Sequence, residues 1–490
     1  MKRSVLALGA VLVLAACGEK NVDASGETDG TPVQGDPCVP DGSGESPCAE
    51  GLVCEVNGDS HVCATPLEIR GVVLDALSRE PIAGAHVTAL DATGAPVGSV
   101  SVSDELGRYS IHAHAARDDS GGFADTNAWT LFATAADYEP FPGGLRPAIP
   151  LNAEDATDDD DDDDDDGDDG AGWILENPST DVALVPIPSD GLGGRTVSGT
   201  VGGAVPGGTL VVAEGGQPPS RYTVADADGT YTLFNVSPGT HSIVGYRSGL
   251  DVDPAPIDGD DDLTGVDLQT SGTAAASTVR GTVNIVNAPG GSETSVVLVP
   301  ASVYNEGLER GPVPLGLRAP EAPQTPSVAG AFEIAGVPPG RYKVLAAFEN
   351  DELVRDPDEN IAGTNVVEIE VTNSDVEVSE SFKVTEGLTV VFPGAEAPEV
   401  VDAPPVFVFA DDASEDRYEV VVLDAFGNIV WEDLAVPGVS GSETVQVEYG
   451  GPTLEFGRYY QFRATSVREN PNADSAISRT EDLRGVFISG

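Results

Sequence analysis

The chain has 490 residues and is strongly acidic, with 24 Lys and Arg against 82 Asp and Glu and a formal net charge of −58. Affinity for nucleic acid comes from Lys and Arg displacing the counterions of phosphates, so this balance excludes nucleic acid as a partner and disfavours anionic lipid headgroups. Divalent cations and basic surfaces are the partners that the charge favours. The chain has only five His, so few side chains are available for general acid–base catalysis near neutral pH.

The N-terminus carries an export signal. Lys2 and Arg3 precede an apolar run from Val5 to Leu14, which is too short to span the ~30 Å hydrocarbon core of a bilayer. The residues Leu14-Ala15-Ala16-Cys17 resemble the bacterial lipobox, in which the cysteine is diacylated and the signal is cut before it. The resemblance implies a signal peptide over residues 1–16 and a lipid anchor on Cys17. The alternative is an ordinary cleaved signal with a cysteine nearby.

The residues after the lipobox bear on location. Residue 18 is Gly rather than the Asp that resembles an inner-membrane retention signal, which favours a lipid-anchored protein of the outer membrane or the cell surface. Residues 17–37 are rich in Gly, Asp, Glu, Ser and Thr and have almost no apolar side chain. Such a segment cannot bury enough apolar surface to offset its ordering entropy, so it is predicted to be a disordered, lipidated tether.

Residues 38–66 hold the other cysteines and are predicted to form a small cysteine-rich domain. Four cysteines within 26 residues of an exported chain predict two disulfides among Cys38, Cys48, Cys54 and Cys63, with three pairings open. Zinc is the alternative, but the segment has no C-x₂-C pair. The spacing Cys48-x₂-Gly51-Leu52-x-Cys54 with a later Cys63 is similar to the cysteine-rich N-terminal region of Dickkopf proteins.

From Thr65 onward the sequence is typical of an all-β protein, with short runs rich in Val, Ile, Thr and Tyr between Gly, Pro and Asp. One pattern occurs three times, which indicates one fold used repeatedly. Each copy has a glycine in its first strand and then a Gly-x-aromatic motif: Gly71 with Gly107 and Tyr109, Gly199 with Gly229 and Tyr231, and Gly281 with Gly330 and Phe332. The later glycines are predicted to form turns with φ > 0, and the aromatic rings to pack inward. Pro-Gly pairs at 238–239 and 339–340 predict a second turn.

This pattern, Gly-x-Val, Asp-x-x-Gly-x-Tyr and Val-x-Pro-Gly-x-His/Tyr, resembles the carboxypeptidase regulatory-like domain. The third copy departs from it, with Ser327 in place of the Asp. The resemblance implies three seven-stranded, transthyretin-like β-sandwiches over residues 67–188, 195–270 and 277–393. It also implies accessory modules that bind, space or stabilise rather than catalyse. Related folds include carbohydrate-binding modules, so a glycan or a protein is the expected ligand.

An acidic insertion over residues 155–172 interrupts the first copy. It contains nine consecutive aspartates, 158–166. Carboxylate oxygens are the ligands that Ca²⁺ prefers, but a defined site needs six to eight fixed oxygens, so loose Ca²⁺ binding is the strongest prediction. The candidate residues are Asp158, Asp160, Asp162, Asp164 and Asp166. The alternative is an acidic solvated loop, and no other cofactor is expected.

Residues 397–490 resemble a fibronectin type III-like domain. Alternating apolar residues in 404–409 and 417–423 predict strands, and Trp431 is predicted to anchor the core. Residues 424–428 are predicted to form a turn between two of the strands.

Two classes of function are open. The first is a non-catalytic lipoprotein of the cell envelope that acts as a surface binding or structural module, or as a calcium-dependent adhesion or spacer protein. The second is an enzyme, through a distant likeness of the first sandwich to intradiol dioxygenases, whose iron ligands would be Tyr109, His112, His114 and Tyr138. The family's ligand spacing does not match, and the sequence lacks a G-x-S-x-G elbow, an H-E-x-x-H pair and a phosphate-binding loop. The sequence therefore favours the non-catalytic function.

Overall fold

The computed structural model describes residues 32–490 apart from 40–46, 50, 58–59, 119–121, 125–127, 143–150, 159–171, 178, 189–190, 217, 273, 287–293, 307–310, 322–323, 325–326, 329, 349–365, 380–381, 386, 396–397, 403, 413, 425–427, 440–442, 472–473 and 481–483. The described residues are nearly all β, with a single 3₁₀ turn, Ala153–Asp155. The all-β prediction is confirmed.

The cysteine-rich domain is a disulfide-linked hairpin, β1 (Val53–Asn57) and β2 (Ser60–Ala64), which pair antiparallel. Residues 32–37, expected in the tether, instead pack on this hairpin. The Gly35 amide donates to the Cys63 carbonyl at 2.8 Å, and Pro37 forms a bridge with Val62. The ordered part of the domain therefore begins before Cys38.

Three sandwiches follow. The first contains β3 (Leu67–Asp75), β4 (His86–Asp91), β5 (Ser101–Val102), β6 (Arg108–Ala113), β7 (Ala128–Thr134), β8 (Leu151–Asn152), β9 (Thr157–Asp158), β10 (Trp173–Leu175) and β11 (Val182–Leu184). The second contains β12 (Arg195–Thr200), β13 (Leu210–Glu214), β14 (Tyr222–Val224), β15 (Thr230–Val236), β16 (His241–Tyr246) and β17 (Ala255–Ile257). The third contains β18 (Ser277–Val286), β19 (Thr294–Pro300), β20 (Arg318–Ala319), β21 (Ala331–Val337), β22 (Gly340–Phe348), β23 (Val367–Val371), β24 (Val376–Glu377) and β25 (Phe382–Thr385).

The three sandwiches share one topology. One sheet has four strands in the orders β5-β4-β7-β8, β14-β13-β16-β17 and β20-β19-β22-β23. In the other sheet, the first strand pairs antiparallel with the strand that carries the aromatic motif and parallel with a closing strand. The closing strand is interrupted in the first and third copies, and in the second it consists of bridges at Leu263 and Leu268. The plan in each copy is thus four strands facing three.

The motif residues fix the closing strand. Tyr109 and Tyr231 point inward, and their hydroxyls donate to the carbonyls of Thr180 and Val266 on that strand, each at 2.5 Å. The first-strand glycine allows this approach, because a Cβ on Gly71 would lie 2.4 Å from the Thr180 carbonyl oxygen. Inward packing of the motif aromatic is confirmed, since all three rings are buried.

The turn prediction is confirmed in the first two copies and wrong in the third. Gly107 and Gly229 have φ of 75° and 88°, whereas Gly330 is outside the left-handed region. Gly330 still accepts a hydrogen bond from the Val283 amide, at 2.7 Å, but no Asp closes this turn in the third copy. Gly340 is also outside the left-handed region, which a Pro-Gly turn of this type requires.

The C-terminal sandwich contains β26 (Val390–Phe392), β27 (Glu399–Val401), β28 (Val406–Ala410), β29 (Arg417–Asp424), β30 (Ile429–Pro437), β31 (Thr444–Glu448), β32 (Tyr459–Arg468), β33 (Ser475–Arg479) and β34 (Val486–Ser489). A sheet β26-β28-β31 faces a sheet β27-β34-β32-β29-β30. Phe407 occupies the centre of the core, with its ring stacked 4.7 Å from that of Phe462. Trp431 lies at the border, half-buried, with its ring 5.3 Å from that of Tyr449.

Candidate functional site at the junctions between sandwiches

Most of the predicted anchor and cation residues lie outside the described part of the chain. These are Cys17, Asp160, Asp162, Asp164 and Asp166. Asp158 ends β9, where its backbone pairs with Trp173. Among the described residues, no helix is long and apolar enough to cross a membrane. Lipid attachment and calcium binding therefore stay predictions.

The cysteines form two disulfides, Cys38–Cys54 and Cys48–Cys63, with Cα atoms 5.9 and 5.7 Å apart. The two-disulfide prediction is confirmed and its pairing is now defined. Within the described residues, Cys38, Cys48 and Cys54 form the one cluster spaced for a metal. Their sulfurs are bonded in disulfides rather than free as thiolates, so the zinc alternative does not fit.

The residues of the dioxygenase alternative are not brought together. Tyr109 points into the core, where burial raises the pKa of its hydroxyl far above the ordinary value. His112 lies on the opposite, exposed face of β6, and His114 is exposed just beyond the strand. The Tyr138 hydroxyl donates to Asp75 at 3.0 Å, and burial together with that carboxylate raises its pKa to about 12. These environments do not supply a tyrosinate and histidine ligand set.

The cysteine-rich domain is held on the first sandwich by a buried ion pair. Arg117 Nε donates to Glu55 at 2.5 Å, and both side chains are almost fully buried. The Ala115 amide also donates to Glu55, and the Arg117 amide donates to the Val56 carbonyl at 2.7 Å. Burial raises the pKa of Glu55, although Arg117 acts in the opposite direction. The two domains therefore form a fixed contact.

The first junction joins sandwiches one and two and is largely polar. The outer face of the sheet containing β4 and β7 is buried although it points away from its own core; its residues are Thr88, Thr130, Phe132 and Thr134. At its edge, the His86 and Phe234 rings meet edge-on at 5.0 Å. Arg221 of the second sandwich forms a two-point ion pair with Glu139 of the first.

Asn235 is the centre of the first junction. Its side-chain amide donates to the carbonyls of Ala135 and Tyr138, each at 2.9 Å. Its Oδ1 accepts a hydrogen bond from the Asp137 amide at 2.7 Å. Both Asn235 and Asp137 are left-handed, with φ of 60° and 68°. One side chain thus satisfies three backbone groups of the neighbouring sandwich.

The second junction joins sandwiches two and three and is more apolar. The sheet containing β13 and β16 packs Val211 and Ile243 into its own core, while Val212 and Tyr246 on its other face belong to the core of the third sandwich. The Tyr246 ring lies 5.8 Å from the Tyr342 ring. This sheet is therefore buried on both faces.

A carboxylate lies within the second junction. Glu214 Oε1 accepts from the Tyr246 hydroxyl at 2.6 Å and from the Ser302 hydroxyl of the third sandwich at 2.8 Å. Burial raises the pKa of Tyr246 well above the ordinary value, and the Glu214 charge adds to the effect. The tyrosine thus stays a neutral hydrogen-bond donor at any physiological pH.

The two junctions use equivalent positions of the repeat. Gly336 occupies the position of Asn235, after the aromatic motif, and Gly249 that of Asp137; all four are left-handed. The Gly249 amide donates to the Gly336 carbonyl at 2.8 Å, as the Asp137 amide donates to Asn235. The motif end of each following sandwich thus docks on the turn after β7 or β16. Sequence reasoning missed both junctions, although the alignment of Asn235 with Gly336 is visible in the sequence.

Comparisons with known proteins give no family. No family model and no curated protein matches the chain. Among solved structures it is similar to the Bacillus anthracis TIE protein, with 10% identity over 83% of this chain and 67% of that one and a TM-score of 0.15. It is also similar to the shaft pilin SpaA from Lactobacillus rhamnosus GG (10% identity, 42% of this chain, 96% of that one, TM-score 0.17) and to a DUF3823 family protein from Bacteroides ovatus (9%, 43%, 98%, 0.18). Scores this low assign neither an arrangement of the sandwiches nor a function.

Proposed function

We propose that the protein is a non-catalytic, lipid-anchored support of the bacterial cell envelope, which holds a binding surface away from the membrane. The observation that carries the proposal is the pair of equivalent junctions, which fix consecutive sandwiches against each other. Sandwiches joined by mobile linkers alone would not hold a binding surface at a defined distance from the end of the tether.

The physical argument rests on how the junctions are built. Relative motion of neighbouring domains is the default unless their interface is large and apolar. Here the second sandwich buries Val212 and Tyr246 against the third, and Asn235 makes three hydrogen bonds to the first. The two bonds that Asn235 donates are partly buried and the one that it accepts is exposed. Together with the apolar contact of the second junction they favour one placement of each sandwich on the next, because a partly buried carbonyl that loses its donor is left less well hydrogen-bonded.

Anchoring is tested by the Cys17→Ser variant of the full chain. The expected result is incorporation of labelled palmitate into the wild type and none into the variant, which should appear in the soluble fraction. Protease added to intact cells should release the C-terminal sandwich from the wild type if the support faces outward. Equal labelling of both proteins, or an unlabelled wild type, contradicts the anchor.

The supporting role requires fixed junctions between the sandwiches. It is tested on the soluble Cys17→Ser protein by small-angle X-ray scattering and calorimetry. Fixed junctions predict one radius of gyration across salt concentrations and a shared unfolding transition for the three repeated sandwiches. Independent transitions, with scattering typical of mobile beads, would contradict the proposal even if Cys17 is lipidated.

Ligand binding at the C-terminal sandwich is a second candidate, favoured by Phe456. This ring is 84% exposed, in the loop between Leu454 and Arg458. An exposed aromatic ring supplies a stacking surface for a sugar or an apolar contact for a protein. The test is thermal unfolding against a panel of cell-wall glycans, with Phe456→Ala as the variant and Phe392→Ala, another exposed ring, as the control. A saturable shift in melting temperature that only Phe456→Ala abolishes supports a glycan site.

Loose calcium binding by the aspartate run also stays a proposal. Addition of Ca²⁺ to the soluble protein should give weak, multi-site binding in calorimetry, and replacing residues 159–166 with Ser should remove it. A tight, single-site isotherm would instead indicate a formed calcium site.

A further inference from the structure

The C-terminal sandwich contacts the first sandwich, although two other sandwiches separate them in the sequence. Arg79 Nη1 of the first sandwich lies 3.4 Å from Glu455 Oε2 of the C-terminal one. The same carboxylate oxygen lies 3.6 Å from Arg458 Nε. Arg458 also acts on Asp181 of the first sandwich: partial burial raises the pKa of Asp181, and the Arg458 charge opposes that rise. Each sandwich thus contributes one Arg and one carboxylate, and each Arg faces a carboxylate of the other sandwich.

The charged groups lie on turns that are held by their own hydrogen bonds. The Arg79 amide donates to the Asp75 carbonyl at 2.9 Å. On the other side, the Glu455 amide donates to the hydroxyl of Tyr460 at 3.0 Å, and the Tyr460 side chain is buried in the core. Because both turns are ordered already, little backbone entropy is lost when they meet.

The connection between the third and the C-terminal sandwich is short. Strand β25 ends at Thr385, and Leu388 belongs to the C-terminal core, with its amide donating to the Arg479 carbonyl at 2.8 Å. Only residues 386 and 387 lie between them. Two residues span at most about 7 Å, so this end of the C-terminal sandwich stays beside the end of β25.

The two attachments of the C-terminal sandwich lie at different ends of it. Arg479, which holds Leu388, pairs with Thr465 on β32. The loop that carries Glu455 precedes the same strand, which begins at Tyr459. Tyr459 and Thr465 are six residues apart, which is about 20 Å along an extended strand. The C-terminal sandwich therefore reaches from the third sandwich to the first along its own length.

From this geometry we infer that the C-terminal sandwich is a brace, a domain that ties the third sandwich back to the first and restrains bending at both junctions. A single exposed ion pair contributes little to stability, and the side chains of Arg79 and Glu455 are 40% and 63% exposed. The contact forms nevertheless, because the short connection keeps the two surfaces close within one chain. The inference goes beyond the proposed supporting function, since it concerns sandwiches that are not consecutive, and it depends on neither the lipid nor a ligand.

The test measures the distance between the first and the C-terminal sandwich in the full chain with Cys17→Ser. Spin labels are attached at His112→Cys and Leu434→Cys, two exposed positions, while the four remaining cysteines are bonded in disulfides. Pulsed electron paramagnetic resonance should give one narrow distance distribution. Arg79→Glu, which places like charges opposite each other, should broaden it. The matched control is Arg70→Glu, the same charge change in the same sandwich at a side chain that is 39% exposed, and it should leave the distribution narrow.

Exchanging the two charges, in Arg79→Glu with Glu455→Arg, should restore the narrow distribution. A broad distribution in the parent protein overturns the inference, as does one that stays narrow in Arg79→Glu or stays broad after the exchange. A second label pair, His112→Cys with the exposed Val205→Cys, reports on the first junction. If that pair is broad in the parent while the pair between His112 and Leu434 is narrow, the brace is supported and the fixed first junction is contradicted.

Discussion

The two junctions dock one sandwich on the next at equivalent positions of the repeat, but through different contacts. At the first, Asn235 uses its side chain to reach three backbone groups, and an ion pair supports it from the rim. At the second, Gly336 has no side chain, so the backbones themselves meet and the contact is completed by aromatic rings and Glu214. The hydrogen-bonded junction tolerates substitution of the residues around Asn235, whereas the backbone contact requires a residue without a side chain at position 336. The same docking geometry therefore has different sensitivities at its two sites.

The largest expected effect is at Gly336. In Gly336→Ala the new Cβ would lie 2.7 Å from the Ser248 hydroxyl and 2.8 Å from the Gly249 amide, at a φ of 68°. Left-handed strain and overpacking together should lower the free energy of unfolding by about 2–4 kcal/mol. Gly272→Ala, equally left-handed but with nothing within 4 Å, gives the strain alone. Urea denaturation that shows equal losses for both variants would mean that the close contact is not formed.

A smaller loss is expected for Asn235→Gly, which keeps the left-handed backbone and removes three hydrogen bonds. At about 0.5–1.5 kcal/mol for each bond, the three contribute about 1.5–4.5 kcal/mol. Glycine adopts the left-handed backbone without the strain of about 1 kcal/mol that Asn carries there, so the free energy of unfolding should fall by about 0.5–3.5 kcal/mol. Asp137→Gly is the control, because its contribution comes from the backbone amide, which remains. Scattering should show the first two sandwiches loosened only in Asn235→Gly. A change of the same size in Asp137→Gly would contradict the role of the Asn235 side chain.

The rim ion pair should contribute less. Arg221→Gln removes a half-exposed pair with Glu139, for which about 0.2–1 kcal/mol is expected, declining as salt rises. Arg341→Gln removes the pair with Glu368 within the third sandwich, away from the first junction. Thermal unfolding at low and high salt separates the two. Scattering that changes in Arg341→Gln but not in Arg221→Gln would argue against a role of the ion pair at the junction.

The smallest effect is a pH dependence confined to the first junction. Burial lowers the pKa of His86, although the Asp226 charge raises it in part. Because the folded pKa lies below the ordinary value of 6.5, the contribution of His86 is complete above pH 6.5 and is lost as pH falls through the folded pKa. The melting temperature of the wild type should therefore decline more between pH 7.5 and 5.5 than that of His86→Gln. Parallel declines would show that His86 does not sense pH.

The sequence predicted the interior of each sandwich better than the contacts between them. Tyr109, Tyr231 and Phe332 were predicted inward because alternation along a strand is a local property, and all three are buried. Gly330 was predicted left-handed by analogy with the other copies, yet its turn lacks the Asp. The bond from Asp137 to Asn235 joins residues 98 positions apart and depends on which sheet face the next sandwich covers. No periodicity in the sequence encodes that choice.

The equivalence of the docking positions has a consequence for how such chains change over generations. Each repeated sandwich has a motif end, and the first two each have a turn on which the motif end of the next sandwich docks. A duplicated second sandwich inserted before the third would therefore meet a docking turn of the same geometry. No new junction would have to evolve, because the left-handed residues that form it are duplicated together with the segment. The length of the array could then evolve in whole steps of one sandwich, by unequal recombination within a single gene.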